Sequence, residues 1–179
     1  MIYGEGIRFR AIERDDLPTF VKWLNDPEVR QGIHQPFSHA EEEGWFEAML
    51  KRPADEHMLG IEVREPVQED SEEHWKLIGD WGFSNIDWLN QAAEFGIMIG
   101  DKSYWNRGYG TEAVRLLAQH GFNTLNLNRI YLRVLETNPR AIRAYEKAGF
   151  TQEGRQRQAE FKDGGYIDML VMSMLKDEF

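Results

Sequence analysis

Apolar and polar positions alternate over residues 7–12, as in a strand with one buried face, and the period then changes to that of a helix. Asp15 or Asp16 caps a predicted helix that carries Leu17, Phe20, Val21 and Leu24 on one side and stops before Pro27. Ser38 followed by Glu41 has the spacing of a capping box. It opens a second helix through Trp45, Phe46, Met49 and Leu50 that ends near Pro53. These two helices are expected over one edge of a sheet. Residues 58–63 and 76–83 read as strands, and the polar, proline-containing stretch at 65–73 reads as a solvated hairpin loop. No spacing in its acidic run fixes a coordination geometry, so no metal site is expected.

From residue 92 the pattern becomes denser. A strand at 92–99, a helix at 108–122 with Val114, Leu117, Ala118 and Phe122 inward, and a strand at 130–135 form a β-α-β unit. Asn138 as N-cap and Pro139 at the first helical position open a short helix, and Gly149 supplies the left-handed residue that closes it. Strands at 151–161 and 166–174 follow, separated by Lys162-Asp163-Gly164-Gly165, whose Asp-Gly is a hairpin signal. The apolar run Met169-Leu170-Val171-Met172 in the last strand is a candidate for pairing across a two-fold axis, which predicts a homodimer.

Composition narrows the classes. A chain of 179 residues suits a single domain, here 1–179, and 41 % hydrophobic residues with six Trp and ten Phe supply a packed interior. The absence of cysteine excludes a disulfide scaffold, a thiolate metal site and a cysteine nucleophile, and agrees with a cytoplasmic location. No basic region followed by an apolar stretch opens the chain and no run of 18 apolar residues occurs, so neither export nor a membrane is expected. A formal net charge of −10 disfavours nucleic acid and favours a cationic partner.

Two motifs carry the chemistry. Arg107-Gly108-Tyr109-Gly110-Thr111 opens the central helix, where glycines admit an anion close to backbone N–H groups and the helix N-terminus adds partial positive charge. An ordinary structural turn has the same composition. The run also fits Gly-x-Gly-x-x-Ala of a dinucleotide-binding unit, but the preceding strand ends near Ile99, well short of Gly108, and Glu136 is badly placed for a ribose-binding acid. The second motif places Ala141, Ala144 and Ala148 at helical spacing behind Asn138, together with Tyr145. Close helix-to-sheet packing accounts for it equally well.

Taken together in this order and spacing, Arg-Gly-Tyr-Gly-Thr at 107–111 and Asn-x-x-Ala-x-x-x-Tyr-x-Lys-x-Gly-Phe at 138–150 resemble the acetyl-CoA half of the Gcn5-related N-acetyltransferases (GNAT). The resemblance is strongest over about residues 75–175, nearest the group of ribosomal-protein-alanine and spermidine acetyltransferases. It implies an α/β (α+β) GNAT fold: a mixed, mostly antiparallel sheet of about seven strands with about four helices, splayed at the cofactor strand. About 1–74 would be the acceptor-side half and about 75–179 the acetyl-CoA-binding half. Ile97, Met98 and Ile99 would run beside the pantetheine arm, and Arg107, Gly108, Tyr109, Gly110 and Thr111 would wrap the pyrophosphate. Asn138 would bond the pantetheine region, Ala141 and Lys147 would lie near the cofactor, and Tyr145 would stand by the sulfur. Trp105 stands where the family carries Gln or Arg, a change of little consequence if phosphate is held by backbone groups.

Chemistry asks for these groups independently. An amine must lose its ammonium proton before it attacks a thioester, the carbonyl oxygen gains charge, and the thiolate is best protonated as it leaves. A phenol, with ordinary pKa about 10, is protonated at neutral pH, which suits Tyr145 as acid. A backbone N–H near Met98 serves the oxyanion, and Glu94, directly or through water, is the candidate base, or else a surface carboxylate paired with Arg or Lys. His34, His57, His74 and His120 are weaker candidates for the base. Direct transfer in a ternary complex needs no covalent enzyme intermediate. Trp23, Trp45, Trp81, Trp88, Phe37 and residues 30–37 are candidates for an acceptor pocket, although at least four of the aromatics are expected in the core. The spermidine enzymes carry acids where this chain has His34-Gln35-Pro36, which tells against a polyamine; small amines and peptide termini stay open. The competing classes are a non-catalytic acyl-CoA-binding module and a dinucleotide-binding oxidoreductase.

Overall fold

The computed structural model of the protein describes residues 1–30, 35–65, 74–162 and 164–179. Its elements follow the chain as β1 (Ile2–Tyr3), β2 (Ile7–Ala11), α1 (Leu17–Leu24), α2 (His39–Met49), β3 (Leu59–Glu65), β4 (His74–Asp87) and β5 (Ala92–Ile99). Next come α3 (Tyr109–Asn123), β6 (Arg129–Leu135), α4 (Pro139–Ala148), β7 (Thr151–Lys162) and β8 (Gly165–Leu175). The hairpin loop expected at 65–73 lies outside the described residues beyond Glu65, and so do Asp163 of the last hairpin and His34.

Capping fixes α2 and α4 where the residue pattern places them, whereas Asp16, expected to cap α1, precedes it without a side-chain cap bond. The Ser38 hydroxyl accepts from the Glu41 N–H at 3.2 Å while the Glu41 carboxylate accepts from the Ser38 N–H at 2.8 Å, so α2 begins with both orphan donors satisfied. At α4 the Asn138 side chain accepts from the Ala141 N–H, Pro139 takes the first helical position, and Gly149 leaves the helix at φ 108°.

The strands form one sheet in the order β1-β2-β3-β4-β5-β6-β8-β7. All neighbours are antiparallel except β5 and β6. Eight strands stand where about seven were expected, because Ile2 and Tyr3 pair with Phe9 and Arg8, a stretch too short for its period to register. The sheet divides two cores. On one face α3 and α4 cover Ile61, Ile78, Trp81, Phe95, Ile130 and Met172. Opposite them α1 and α2 bury Phe20, Trp23, Phe46 and Met49 with Leu77 and Met98, so these helices cover a face rather than an edge. Each fully buried large side chain contributes about 1.5–3 kcal/mol.

Two further expectations are corrected. Met169–Met172 is not a free edge: β8 pairs along one side with β6 and along the other with β7, and its backbone groups are taken. Of the candidate aromatics only Trp23 and Trp81 are buried; Trp88 is 53 % exposed, because it sits in the turn joining β4 to β5.

The feature that positions the site is the parting of β5 from β6. Their ladder consists of Ala92–Arg129, Ala93–Ile130 and Glu94–Tyr131 and then stops, although β5 stays paired to β4 as far as Ile99. A right-handed twist continued on diverging strands opens a wedge in the sheet.

Candidate active site

The wedge is filled by a cavity of about 780 Å³, within the range of ligand pockets. Successive side chains of a strand point to opposite faces, and yet Gly96, Ile97, Met98 and Ile99 of β5 and Arg133, Val134 and Leu135 of β6 all line this one space. The cavity therefore passes through the sheet from one core to the other.

At the α3–α4 end the chain is shaped for an extended anionic group. Gly108 caps α3 at φ 92°, a conformation that favours glycine, and a Cβ placed on Gly108, Gly110 or Gly96 would meet nothing within 4 Å. Gly108 and Gly110 face open space at the N-terminus of α3 and Gly96 does so from β5, and Thr111 lines the same stretch as the first two. From α4 the lining takes Asn138, Ala141 and Lys147. The Asn138 carbonyl oxygen is engaged in the cap, which leaves its amide donor for a ligand. Donor set, open glycines and the unpaired edge of β5 fit a pyrophosphate followed by a pantetheine arm.

Ten of the residues that the sequence assigns to catalysis or the cofactor line the cavity: Ile97, Met98, Ile99, Gly108, Gly110, Thr111, Asn138, Ala141, Tyr145 and Lys147. Arg107, Tyr109 and Glu94 do not. The Arg107 guanidinium lies 5.1 Å and 5.6 Å from the ring centroids of Tyr104 and Tyr109, stiffening the turn before α3. Tyr109 packs on the larger core. Trp105 ties β5 to α4, since its indole N–H donates to the Ile99 carbonyl at 2.6 Å and the Arg140 guanidinium stacks 3.3 Å from its ring.

Tyr145 is 8 % exposed, packed edge-on against Phe95, and lines the cavity; among the described residues its hydroxyl has no hydrogen-bond partner. Burial pushes its pKa up to about 12, so it holds its proton at neutral pH. Glu94 is buried but occupied, since one carboxylate oxygen accepts from Arg133 at 2.7 Å and the other from Asn85 at 3.0 Å. Of the histidines, His57 bonds the Arg52 carbonyl, His74 lies 3.7 Å from Glu65, and His120 packs against Trp81; none of these three lines the cavity.

At the α1–α2 end the lining includes two carboxyls that the residue pattern did not single out, Asp80 and Glu42, set among Trp45, Met58 and Phe37. Asp80 had a signal, a single acid inside the apolar strand Leu77-Ile78-Gly79-Asp80-Trp81. Glu42 had a fainter one: it precedes Trp45, Phe46 and Met49 by three, four and seven positions, which sets it on the apolar side of α2. Among the described residues no group of three His, Asp or Glu side chains is placed to hold a metal ion.

Residues 7–151 match the family described as "Acetyltransferase (GNAT) domain". A protein from Bacillus licheniformis described as an uncharacterized N-acetyltransferase p20 is 31 % identical over 182 residues, covering 99 % of this chain and 97 % of its own. The spermidine N(1)-acetyltransferase of Vibrio cholerae is 29 % identical over 175 residues, covering 97 % and 95 %. The crystal structure of spermidine N-acetyltransferase from Vibrio cholerae in complex with CoA and spermine has a TM-score of 0.84 at 26 % identity and covers 98 % of both chains.

Proposed function

The chain belongs to the GNAT acetyltransferase family and is an N-acetyltransferase that draws its acetyl group from acetyl-CoA, and from that premise we propose that its acceptor is a small aliphatic amine entering from the α1–α2 side of the sheet. One observation carries the reading: a single cavity crosses the sheet, with open glycines and a helix N-terminus at one end and two buried carboxyls among apolar side chains at the other. An anion suits the first and an alkylammonium the second.

When bound, acetyl-CoA supplies an acetyl thioester at the centre of the wedge. Gly108, Gly110 and Thr111 hold its phosphates with backbone N–H groups, while Asn138, Ala141 and Lys147 border the arm. Ile97 and Ile99 present backbone groups along the open edge of β5, where an N–H serves the carbonyl oxygen as charge develops, whereas Met98 turns its own backbone groups to Asp80 across the ladder. Tyr145, protonated at neutral pH, gives its proton to the departing sulfur.

Melting curves and thiol release test this. Acetyl-CoA is expected to raise the melting temperature and NAD to leave it unchanged, because a ligand that binds only the folded state stabilises it. Thiol release is expected with putrescine, spermidine or tyramine, and not with a peptide whose N-terminal residue is alanine. Stabilisation by NAD alone, or acetylation of the peptide alone, would overturn the reading. Binding of acetyl-CoA with thiol release from no amine would mark a non-catalytic acyl-CoA-binding module instead.

A further inference from the structure

Two carboxyls line the cavity without a direct partner among the described residues. Asp80 is 8 % exposed and Glu42 4 % exposed, and among the described residues neither side chain has a hydrogen bond or ion pair. Isolated buried carboxylates are costly, so an arrangement that leaves two of them together needs a proton or a cation to complete it. Their placement gives the cation an origin. Asp80 pairs across the β4–β5 ladder with Met98, on the strand whose open edge faces the thioester, while Glu42 looks across from the first turn of α2.

We propose that Asp80, with Glu42 beside it, is the carboxylate that takes the proton from the acceptor's ammonium group, and that Glu94 acts instead to position Arg133, which lines the same cavity. The proposal rests on the cavity being the site of acyl transfer. The Glu94 carboxylate is bonded to Arg133 and Asn85 and lies outside the lining, so it has no free oxygen directed at an amine.

Burial, and behind it the charge of Glu42, pushes the Asp80 carboxyl up to about 7, which suits a group that exchanges protons near neutral pH. Burial also raises Glu42. The other charged groups lining the cavity are Arg30, Arg133, Arg140, Arg143 and Lys147, and none of these acts on Asp80 as Glu42 does. Strand β3 places only Gly60 opposite Asp80, and β5 only Met98.

The step balances. An Asp80 oxygen accepts one proton from R–NH3⁺, and the freed lone pair forms the C–N bond at the thioester carbonyl carbon. The C–S bond then breaks with its electron pair on sulfur, and sulfur takes the Tyr145 hydroxyl proton. Tyr145 is reprotonated by the second hydrogen leaving the nitrogen, and Asp80 releases its proton to solvent. One proton is released per turnover.

The test compares Asp80→Asn, Glu94→Gln and wild type with putrescine, an ammonium at pH 7, and with methoxyamine, which is already neutral there. Asp80→Asn is expected to lower thiol release from putrescine about 100-fold, the scale of base catalysis, while keeping acetyl-CoA affinity and most of its rate with methoxyamine. Full putrescine turnover by Asp80→Asn, equal loss with both amines, or a selective putrescine loss in Glu94→Gln alone would overturn the proposal. Failure of wild type to bind acetyl-CoA would instead remove the reading of the cavity on which it rests. An infrared pH titration needs no acceptor. It is expected to show a protonated-carboxyl band that fades near neutral pH in wild type and is missing from Asp80→Asn; a band that fades only in the ordinary carboxylate range overturns the assignment.

Discussion

Tyr145 and Asp80 are both pushed upward by burial, and the same displacement serves opposite needs. A phenol raised to about 12 keeps its proton for a thiolate, whereas a carboxyl raised to about 7 takes and gives a proton near neutrality. Tyr145→Phe removes the proposed acid and leaves the ring against Phe95, so turnover is expected to fall about 100-fold with acetyl-CoA affinity retained, measured by thiol release and calorimetry. Asp80 also sets a stability trend. Its folded pKa lies above its unfolded value, so its contribution is fully present below about pH 4 and is lost as pH rises through about 7. Denaturant titrations from pH 4 to 8 are expected to show wild type losing stability across that window, by on the order of 2–4 kcal/mol, and Asp80→Asn losing much less. Unchanged slopes in the variant would refute the assignment. Tyr145 drew notice in the sequence because it belongs to a spaced motif, and the structure places it in the cavity lining. Asp80 left only a trace, a single acid inside an apolar strand, because its meaning depends on the burial of the middle of β4, which no local pattern encodes. Glu94 attracted notice by lying on the cofactor strand, but Arg133, 39 positions along the chain, engages it.

At the scale of elements, local chemistry was the readable part. Ser38 with Glu41, Asn138 with Pro139, and Gly149 fix helix ends through contacts within a few residues, and the structure keeps each of them. Ser38→Ala is expected to cost about 1 kcal/mol in denaturant titrations, with turnover unchanged. The resemblance implied a splay at the cofactor strand, and what the residue pattern itself left open was where strands meet and part. The departure of β6 from β5 after Glu94–Tyr131, and the insertion of β8 between β6 and β7, arise from contacts far apart in the chain. Gly79 shows how tight such contacts become: a Cβ there would lie 2.0 Å from the Met98 carbonyl oxygen. Gly79→Ala is expected to destabilise the protein by about 2 kcal/mol or more, the range of overpacked cores, and to lower turnover by displacing β5. A melting temperature equal to wild type would contradict this contact.

The whole molecule carries a formal net charge of −10, yet Arg30, Arg133, Arg140, Arg143 and Lys147 all line its principal cavity. A negative body with a locally basic slot draws an anionic nucleotide by short-range contacts and a cationic amine by its outer field. With a screening length of about 10 Å at 0.1 M salt, added salt is expected to slow capture of a cationic amine; initial rates with putrescine over a salt series check this, and methoxyamine should show no such slope. The apolar stock of the core was legible at this scale. The division into an acceptor half and a cofactor half captures less, because Asp80 lines the α1–α2 end of the cavity from a strand assigned to the cofactor half. No helix among the described residues is long and apolar enough to cross a membrane.

A passage that pierces the sheet has two mouths. On the proposed reading the nucleotide and the amine approach from opposite sides and meet only at the reacting carbonyl, so neither seals the other's exit. Either can arrive first, and an unreactive analogue of one should compete with its own kind alone. Initial-velocity lines are then expected to intersect, whereas parallel lines would betray an acetyl group parked on the protein.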